Sequence, residues 1–487
     1  MYITSIGLLL VPPSLAIFFL WPDYLGPWAI IVSAFQAASV LNIEGGFPIG
    51  VTPYFFVLIL IATRFLPLWL CGKCSFRRSD VAIAITQPLL ILTIWAAGSA
   101  FVLPSLFAGV GVNTPRAGMD SPETAPLQWT MSNAAQAAYV ALNAVFVIHL
   151  LWHGRARGYF ERLIWAFVCA GLIAASIGAY QYVAHSSGLP YPADFFNSNP
   201  GWRQHVSQEL SGVWRLSATF SEPSAAGAFF AVWSTLLLFI AADDQGGGGW
   251  AWPLFMTGVI MVFLTTSTTG YLTGALVIAL FIWKEFARLF TSGRISARGL
   301  FSLLVIAGAV AAAAIFIPHL TELLTKIVWH KSQSQSSHDR ATTIWEALRI
   351  TSATYGMGVG LGSNRPSGML FYIASNLGIP GLVAFTSMLW AIYRIFGTAL
   401  HSSPRRDRAA VYLGAAAWAC AIELIAMASA GGDMSGPLLW VCVGILAAGT
   451  RAVWLRRHEA AEPIELPERC RIRVPESLII LREEYCI

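Results

Sequence analysis

The stretch Trp214-Arg-Leu-Ser-Ala-Thr-Phe-Ser-Glu222-Pro223-Ser224 sets a guanidinium and a carboxylate at the entrance of an apolar run starting at Ala225. A guanidinium binds phosphate or carboxylate in a bidentate fork. A carboxylate beside apolar chain is a candidate general base. Pro223 with its flanking serines reads as a helix start, and Glu222 suits the positive end of a helix dipole. Capping accounts for neither Arg215 nor the small-residue run 225–228, which suits close helix packing. A second constellation runs from Ser337-His338-Asp339-Arg340 to Gly356-Met-Gly-Val-Gly-Leu-Gly-Ser-Asn-Arg365. Its alternate glycines let backbone approach a ligand or a neighbouring helix, and without a preceding strand they are no dinucleotide fingerprint. Arg340 and Arg349 are nine residues apart, about 180° around a helix at ~100° per residue. Only one can face a given pocket, and Arg340, at a helix start beside His338, is the candidate. A third stretch, Leu264-Thr-Thr-Ser-Thr-Thr-Gly-Tyr271, carries hydroxyls that either satisfy a tight turn or line the same cavity. Glu423 stands inside an apolar run, and no HExxH, acidic cluster or His/Cys cluster implies a metal; no cofactor is expected.

The elements that must position these groups follow from composition. Of 487 residues, 56% are hydrophobic and 11% charged, against roughly 25% charged in soluble domains, which argues for a lipid environment. Runs near 2–21, 26–43, 51–70, 80–107, 132–152, 162–184, 224–242, 250–267, 269–288, 299–318, 369–397, 409–428 and 436–455 read as spans of about 20 residues each. The expected fold is an all-α polytopic membrane protein with about 12–14 spans. Basic clusters at Lys73/Arg77/Arg78, Arg155/Arg157/Arg162, Lys284/Arg288/Arg294/Arg298, Arg405/Arg406/Arg408 and Arg456/Arg457 are separated by even numbers of spans. All can therefore lie on the cytoplasmic side. The outer side then carries loops 108–131, 185–223 and 319–368, and short links near 44–50, 267–269 and 430–435. These outer segments hold Arg116, Arg203, Arg215, Arg340, Arg349, Arg365, Lys326 and Lys331. Translocation of long loops regardless of charge accounts for Arg116 and Arg203. Residues 339–352 read as a short helix along the membrane surface, with Ile344, Ala347 and Leu348 on one face. Residues 1–455 form the membrane domain and 456–487 a cytoplasmic tail. In this topology Glu423 is an intramembrane carboxylate, either a functional site or a partner for Arg64 or for a threonine or tyrosine of a neighbouring span. None of the seven cysteines falls in an outer loop, so no disulfide framework is implied. The net charge of +5 sits in short clusters between spans and carries no nucleic-acid footprint.

The chain resembles the O-antigen polymerase and ligase superfamily of bacterial inner-membrane glycosyltransferases. The resemblance covers about 210–395 and rests on Arg215-Leu-Ser-Ala-Thr-Phe-Ser-Glu222-Pro-Ser224, on Leu264–Tyr271, and on Arg340 with Trp345-Glu-Ala-Leu. It continues through Gly356-x-Gly-x-Gly-x-Gly-Ser-Asn-Arg365 and Asn376-Leu-Gly-Ile-Pro-Gly381. It implies a fold similar to C-type glycosyltransferases, with a large, partly helical periplasmic loop. It also implies a donor glycan on undecaprenyl diphosphate, used at the outer face of the inner membrane without metal. Partners implied are membrane lipid, a chain-length regulator and a flippase. Family ligases carry a His-Asn pair after the glycine-rich turn; here Arg365-Pro-Ser-Gly-Met-Leu-Phe-Tyr has no histidine, which favours a repeat-unit polymerase. A ligase acting on lipid A core and a lipid-linked glycan transporter are the alternatives. The reaction needs donors for a leaving diphosphate, for which Arg215, Arg340, Arg365 and, less centrally, Arg349 are the candidates. It also needs a base for the acceptor hydroxyl, for which Glu222 and His338 are the candidates.

Overall fold

The computed structural model describes residues 1–43, 49–74, 76, 80–113, 124–201, 204, 208–210, 213–243, 248–293, 297–316, 335–401, 407–430 and 433–461. Arg77, Arg78, Arg116, Arg203, Arg294, Lys326, Lys331, Arg405, Arg406 and the tail beyond residue 461 lie outside them. The chain begins with β1 (Tyr2–Ile3), α1 (Ser5–Leu20), α2 (Leu25–Val32), β2 (Leu41–Ile43), β3 (Ile49–Val51), α3 (Pro53–Leu70) and α4 (Val81–Leu106). It continues with β4 (Gly111–Asn113), β5 (Thr124–Pro126), α5 (Met131–His153), α6 (Tyr159–Ser187), α7 (Ala193–Phe196), β6 (Glu209–Leu210), β7 (Val213–Trp214) and α8 (Pro223–Ala241). Then come α9 (Ala251–Leu264), α10 (Thr268–Ser292), α11 (Ala297–Phe316), α12 (Gln335–Ala353), α13 (Met369–His401), α14 (Arg408–Ala430) and α15 (Pro437–Ala461).

Of the described residues, 76% are helical. Among the described residues, eight helices, α3–α6, α8 and α13–α15, are long and apolar enough to cross a bilayer. Ile91, Ile94, Phe101 and Val102 on α4 and Trp283, Phe286 and Phe290 on α10 face outward. A broad apolar exterior of this kind belongs against lipid rather than water. The chain is thus a polytopic, nearly all-α membrane protein. Helices α8 and α15 form its interior, with 83% of their apolar windows buried against 39% for α4. Helix α8 packs on α9, α10 and α14, and Gly227 allows the approach to α10: a Cβ there would meet the Gly270 Cα at 3.2 Å.

Several expected spans are shorter than the sequence implies. Helices α1 and α9 have 16 and 14 residues, about 24 and 21 Å at ~1.5 Å per residue, below the ~30 Å of a hydrocarbon core. The expected span 26–43 is helical only over α2; Ser33–Val40 continue as largely buried, irregular chain. Thr219 holds it, donating its hydroxyl to the Ala34 carbonyl at 2.5 Å and accepting the Ala37 N–H at 3.0 Å. Irregular backbone is tolerated within a membrane protein where it is enclosed by protein or lines a cavity. Here an apolar composition that suits a helix is satisfied instead by burial. Small antiparallel ribbons β1–β2–β3, β4–β5 and β6–β7 interrupt the all-helical expectation.

The bundle has two chemically distinct ends. At one, Asp80 pairs with Arg451, which also donates to the carbonyls of Leu151 and Trp152. There Arg456 lies 2.7 Å from Glu161 and 3.8 Å from Asp407. The described members of the basic clusters at the ends of α5, α14 and α15 therefore meet. At the other end, the chain segments around Arg215, Glu222, Asn364 and Asp433 converge. Helix α5 runs from one end to the other, with Gln136 near Asp433 and Leu151 at Arg451.

Candidate functional site

Glu222 caps α8: its backbone is extended (φ −150°, ψ 155°), Pro223 takes the first helical position, and its carboxylate accepts the Ser224 hydroxyl. From this exposed position it faces a cavity of about 290 Å³. Glu423 of α14 lines the same cavity and is 4% exposed, its Oε2 without a hydrogen-bond partner. Asp433, at the start of the link into α15, is the third carboxylate, and Gln36 and Ser33 come from the irregular chain after α2. Phe220 and Phe229 supply aromatic wall. A volume of this size is at the small end of ligand pockets. Arg64 is not the partner of Glu423; it donates to the Phe18 carbonyl at 3.2 Å.

Arg215 stands beside the cavity rather than in it. Its Nη1 donates to Gln208 Oε1 at 3.0 Å and its Nε to the Thr265 carbonyl at 3.4 Å. Burial pushes the guanidinium's pKa below its ordinary value, opposed by the Glu222 carboxylate. The 264–271 turn therefore positions Arg215. Three of its hydroxyls serve the backbone: Ser267 caps α10 through the Gly270 N–H, Thr265 donates to the Val262 carbonyl at 2.7 Å and Tyr271 to the Phe263 carbonyl at 3.0 Å. The buried Thr266 hydroxyl has no hydrogen-bond partner among the described residues. None of them lines the cavity.

The glycine run proves to be a packing device. Gly356, Gly358, Gly360 and Gly362 all have positive φ, between 78° and 94°. A Cβ at Gly358 would meet the Asn376 carbonyl oxygen at 2.6 Å, and one at Gly360 the Ser99 carbonyl oxygen at 2.7 Å. The backbone N–H groups of Val359 and Gly360 donate to the Ser375 and Asn376 carbonyls of α13, not to a ligand. Asn376, fully buried, accepts from the Ser363 and Asn364 N–H groups at 3.1 and 2.9 Å and donates to the Asn364 carbonyl at 2.8 Å. Asn133 of α5 donates to the Leu361 carbonyl at 2.7 Å, and Asn364 accepts the Asn113 N–H of β4 at 3.1 Å. This latch fixes the backbone of Arg365, whose N–H donates to the Asn113 carbonyl at 3.2 Å. Arg365 itself is exposed and is not among the residues lining the cavity.

Helix α12 lies on this latch and on the β4–β5 ribbon, with Ile350 packed on Val112, Leu127 and Val359. Its buried face is Thr343, Ala347 and Ile350; of the residues expected there, Ala347 is buried while Leu348 is exposed. The hydroxyl of Thr343 lies 3.2 Å from that of Ser367, bringing the half-buried Arg340, one turn earlier, toward the Arg365 loop. His338 is exposed and does not line the cavity. Arg349 points elsewhere, pairing with Glu346 at 2.7 Å and donating to the Gly111 carbonyl at 3.3 Å.

The structure thus brings Glu222, Glu423 and Asp433 together around one cavity, with Arg215 beside it. Sequence reasoning does not single out Asp433 or Gln36. Gly431-Gly432-Asp433 reads as turn chemistry, and an amide in a run taken for a span looks incidental. No group of acidic, histidine or cysteine side chains suited to a metal occurs among the described residues. No protein-family model and no curated protein matches the chain.

Proposed function

We propose that the protein is a glycosyltransferase that polymerises polyprenyl-diphosphate-linked oligosaccharide repeat units at the end of the bundle bearing this cavity. The observation that carries the reading is the cavity joining Glu222 to Glu423 with Arg215 alongside. Carboxylates, an amide and two phenylalanine rings match the hydroxyls and the C–H face of a sugar. The acceptor glycan enters the cavity and presents a hydroxyl to Glu222. The hydroxyl oxygen attacks the anomeric carbon of the donor, its proton passes to the Glu222 carboxylate, and the bond from that carbon to the diphosphate oxygen breaks. The leaving diphosphate gains negative charge, which Arg215, Arg365 and Arg340 stabilise from the rim. One well-aimed donor in such a role is worth roughly 2.7–4 kcal/mol.

The test is purified protein incubated with undecaprenyl-diphosphate-linked oligosaccharide and no added metal, read as a ladder of products. Glu222→Gln removes the base while keeping the shape, and turnover is expected to fall about 10²–10⁴-fold. A ladder unchanged in Glu222→Gln overturns the assignment. A transporter of lipid-linked glycan is the second reading, because α2 stops after eight residues beside the cavity and discontinuous helices frame substrate sites in transporters. Loss of a transporter strands single repeat units on the cytoplasmic face, whereas loss of a polymerase strands them outside.

A further inference from the structure

The opposite end of the bundle carries a second cavity, of about 450 Å³, between the α5–α6 turn and the last turns of α15. Arg155, Arg157 and Arg456 line it, with Ala452 and Leu455 as apolar wall and no acidic side chain in the lining. Two of the guanidiniums are held in place by neighbours. Arg155 lies 3.7 Å from the ring centroid of Trp152, and Arg456 is set between Glu161 and Asp407. Arg157 is exposed and has no ion-pair or hydrogen-bond partner among the described residues. The turn sits tightly on α15, since a Cβ at Gly154 would meet the Ala448 carbonyl oxygen at 3.0 Å. The cavity is therefore shaped by backbone contact rather than left by loose side chains.

We propose that this cavity binds the phosphate headgroup of an anionic phospholipid. Glu161 and Asp407 hold Arg456, and the three guanidiniums against these two carboxylates leave the cluster net positive, with Arg155 and Arg157 free of ion pairs among the described residues and available to a ligand. Phosphate is the anion that a guanidinium pair grips best. The source is a lipid because the site lies where spans α5, α6 and α15 end, beside Trp152, and indole rings mark the membrane–water boundary. Leu455 and Ala452 offer the glycerol and acyl root an apolar wall that free phosphate does not need. Basic pockets between spans at this level are suited to anionic headgroups. The inference does not depend on the chemistry at the other end of the bundle.

The experiment is native mass spectrometry of the full chain released from detergent with phosphatidylglycerol, phosphatidylcholine or inorganic phosphate. Phosphatidylglycerol is expected to stay bound and phosphatidylcholine to be lost. Each arginine contributes about fivefold in affinity near a membrane surface, so Arg155→Gln with Arg157→Gln should weaken phosphatidylglycerol by about 25-fold. Equal retention of both lipids, or unchanged retention in the double variant, overturns the proposal. Full displacement of phosphatidylglycerol by millimolar inorganic phosphate would reassign the cavity to a soluble anion and also overturn it. Should the double variant fail to fold, Arg157→Gln alone decides, with a fivefold loss expected and no loss refuting.

Discussion

Asn376 is the residue through which the fold controls the position of Arg365, and its removal has a calculable cost. In Asn376→Ala the Asn364 N–H loses its acceptor at 2.9 Å and the Asn364 carbonyl its donor at 2.8 Å, while the Ser363 N–H keeps the Gly360 carbonyl at 3.2 Å. A buried N–H left unpaired costs about 1–3 kcal/mol, and loss of a further hydrogen bond about 0.5–1.5 kcal/mol. The expected destabilisation is thus about 2–4 kcal/mol, read as a lower midpoint of thermal unfolding in detergent. Ser375→Ala removes the 3.0 Å contact from Asn364 Nδ2 and the hydroxyl's own donation to the Phe371 carbonyl at 2.8 Å, while leaving the Asn376 amide in place, and should cost about 1–2 kcal/mol. Product formation should fall in Asn376→Ala beyond the loss of folded protein, because the loop that orients Arg365 is released. If the Asn376→Ala variant unfolds at the wild-type midpoint and keeps full activity, glycine packing alone holds the loop and the hydrogen-bond reasoning fails.

Arg340→Ala should abolish polymer while leaving the amount of protein in the membrane unchanged; normal chain length and yield would remove Arg340 from the mechanism. Asp80→Asn strips the partner from a guanidinium buried at 5% side-chain exposure and should cost about 3–5 kcal/mol. Asp80→Leu with Arg451→Met should recover most of that loss, as measured by unfolding of all three variants. Gly358→Ala puts a Cβ 2.6 Å from the Asn376 carbonyl oxygen at φ +83°. That change should destabilise by more than ~1 kcal/mol, and a variant as stable as wild type would show that the loop can move away.

The parts of the fold legible in the sequence are those in which local pattern and tertiary packing agree. Pro223 and Ser224 mark the start of α8, and the helical angle between Arg340 and Arg349 separates them onto different faces. The small residues after Ser224 mark a close approach, realised between Gly227 and Gly270. What the pattern hides is where burial substitutes for helix. Residues 33–40 are apolar enough for a span, yet Thr219 supplies the backbone partners that let them stay irregular. The glycine run is ambiguous for the same reason: open backbone serves a ligand and a neighbouring helix alike, and only the occupied N–H groups decide for the helix. Asp433 becomes visible only when α14 and α15 fold back and bring it to the cavity that Glu222 lines.

The placement of charge separates the arginines by role. A guanidinium stays charged wherever it sits, so inside the bundle it needs a permanent counterion, and once paired it has little left for a substrate. Arg451 is such a residue, closed off by Asp80 and two carbonyls. Arg349, on the exposed side of α12, is taken up by Glu346. Arg215 differs: it is fixed by a neutral amide and a carbonyl, with no carboxylate within ion-pair distance among the described residues. Glu222 offsets its charge only through the field between them. A positive group held rigidly yet left electrically open, next to a cavity whose own charges are carboxylates, can take an anion at the rim while the cavity takes hydroxyls. That division is what a sugar carried on a diphosphate requires, and it predicts that Arg215→Gln should impair donor use far more than Arg349→Gln.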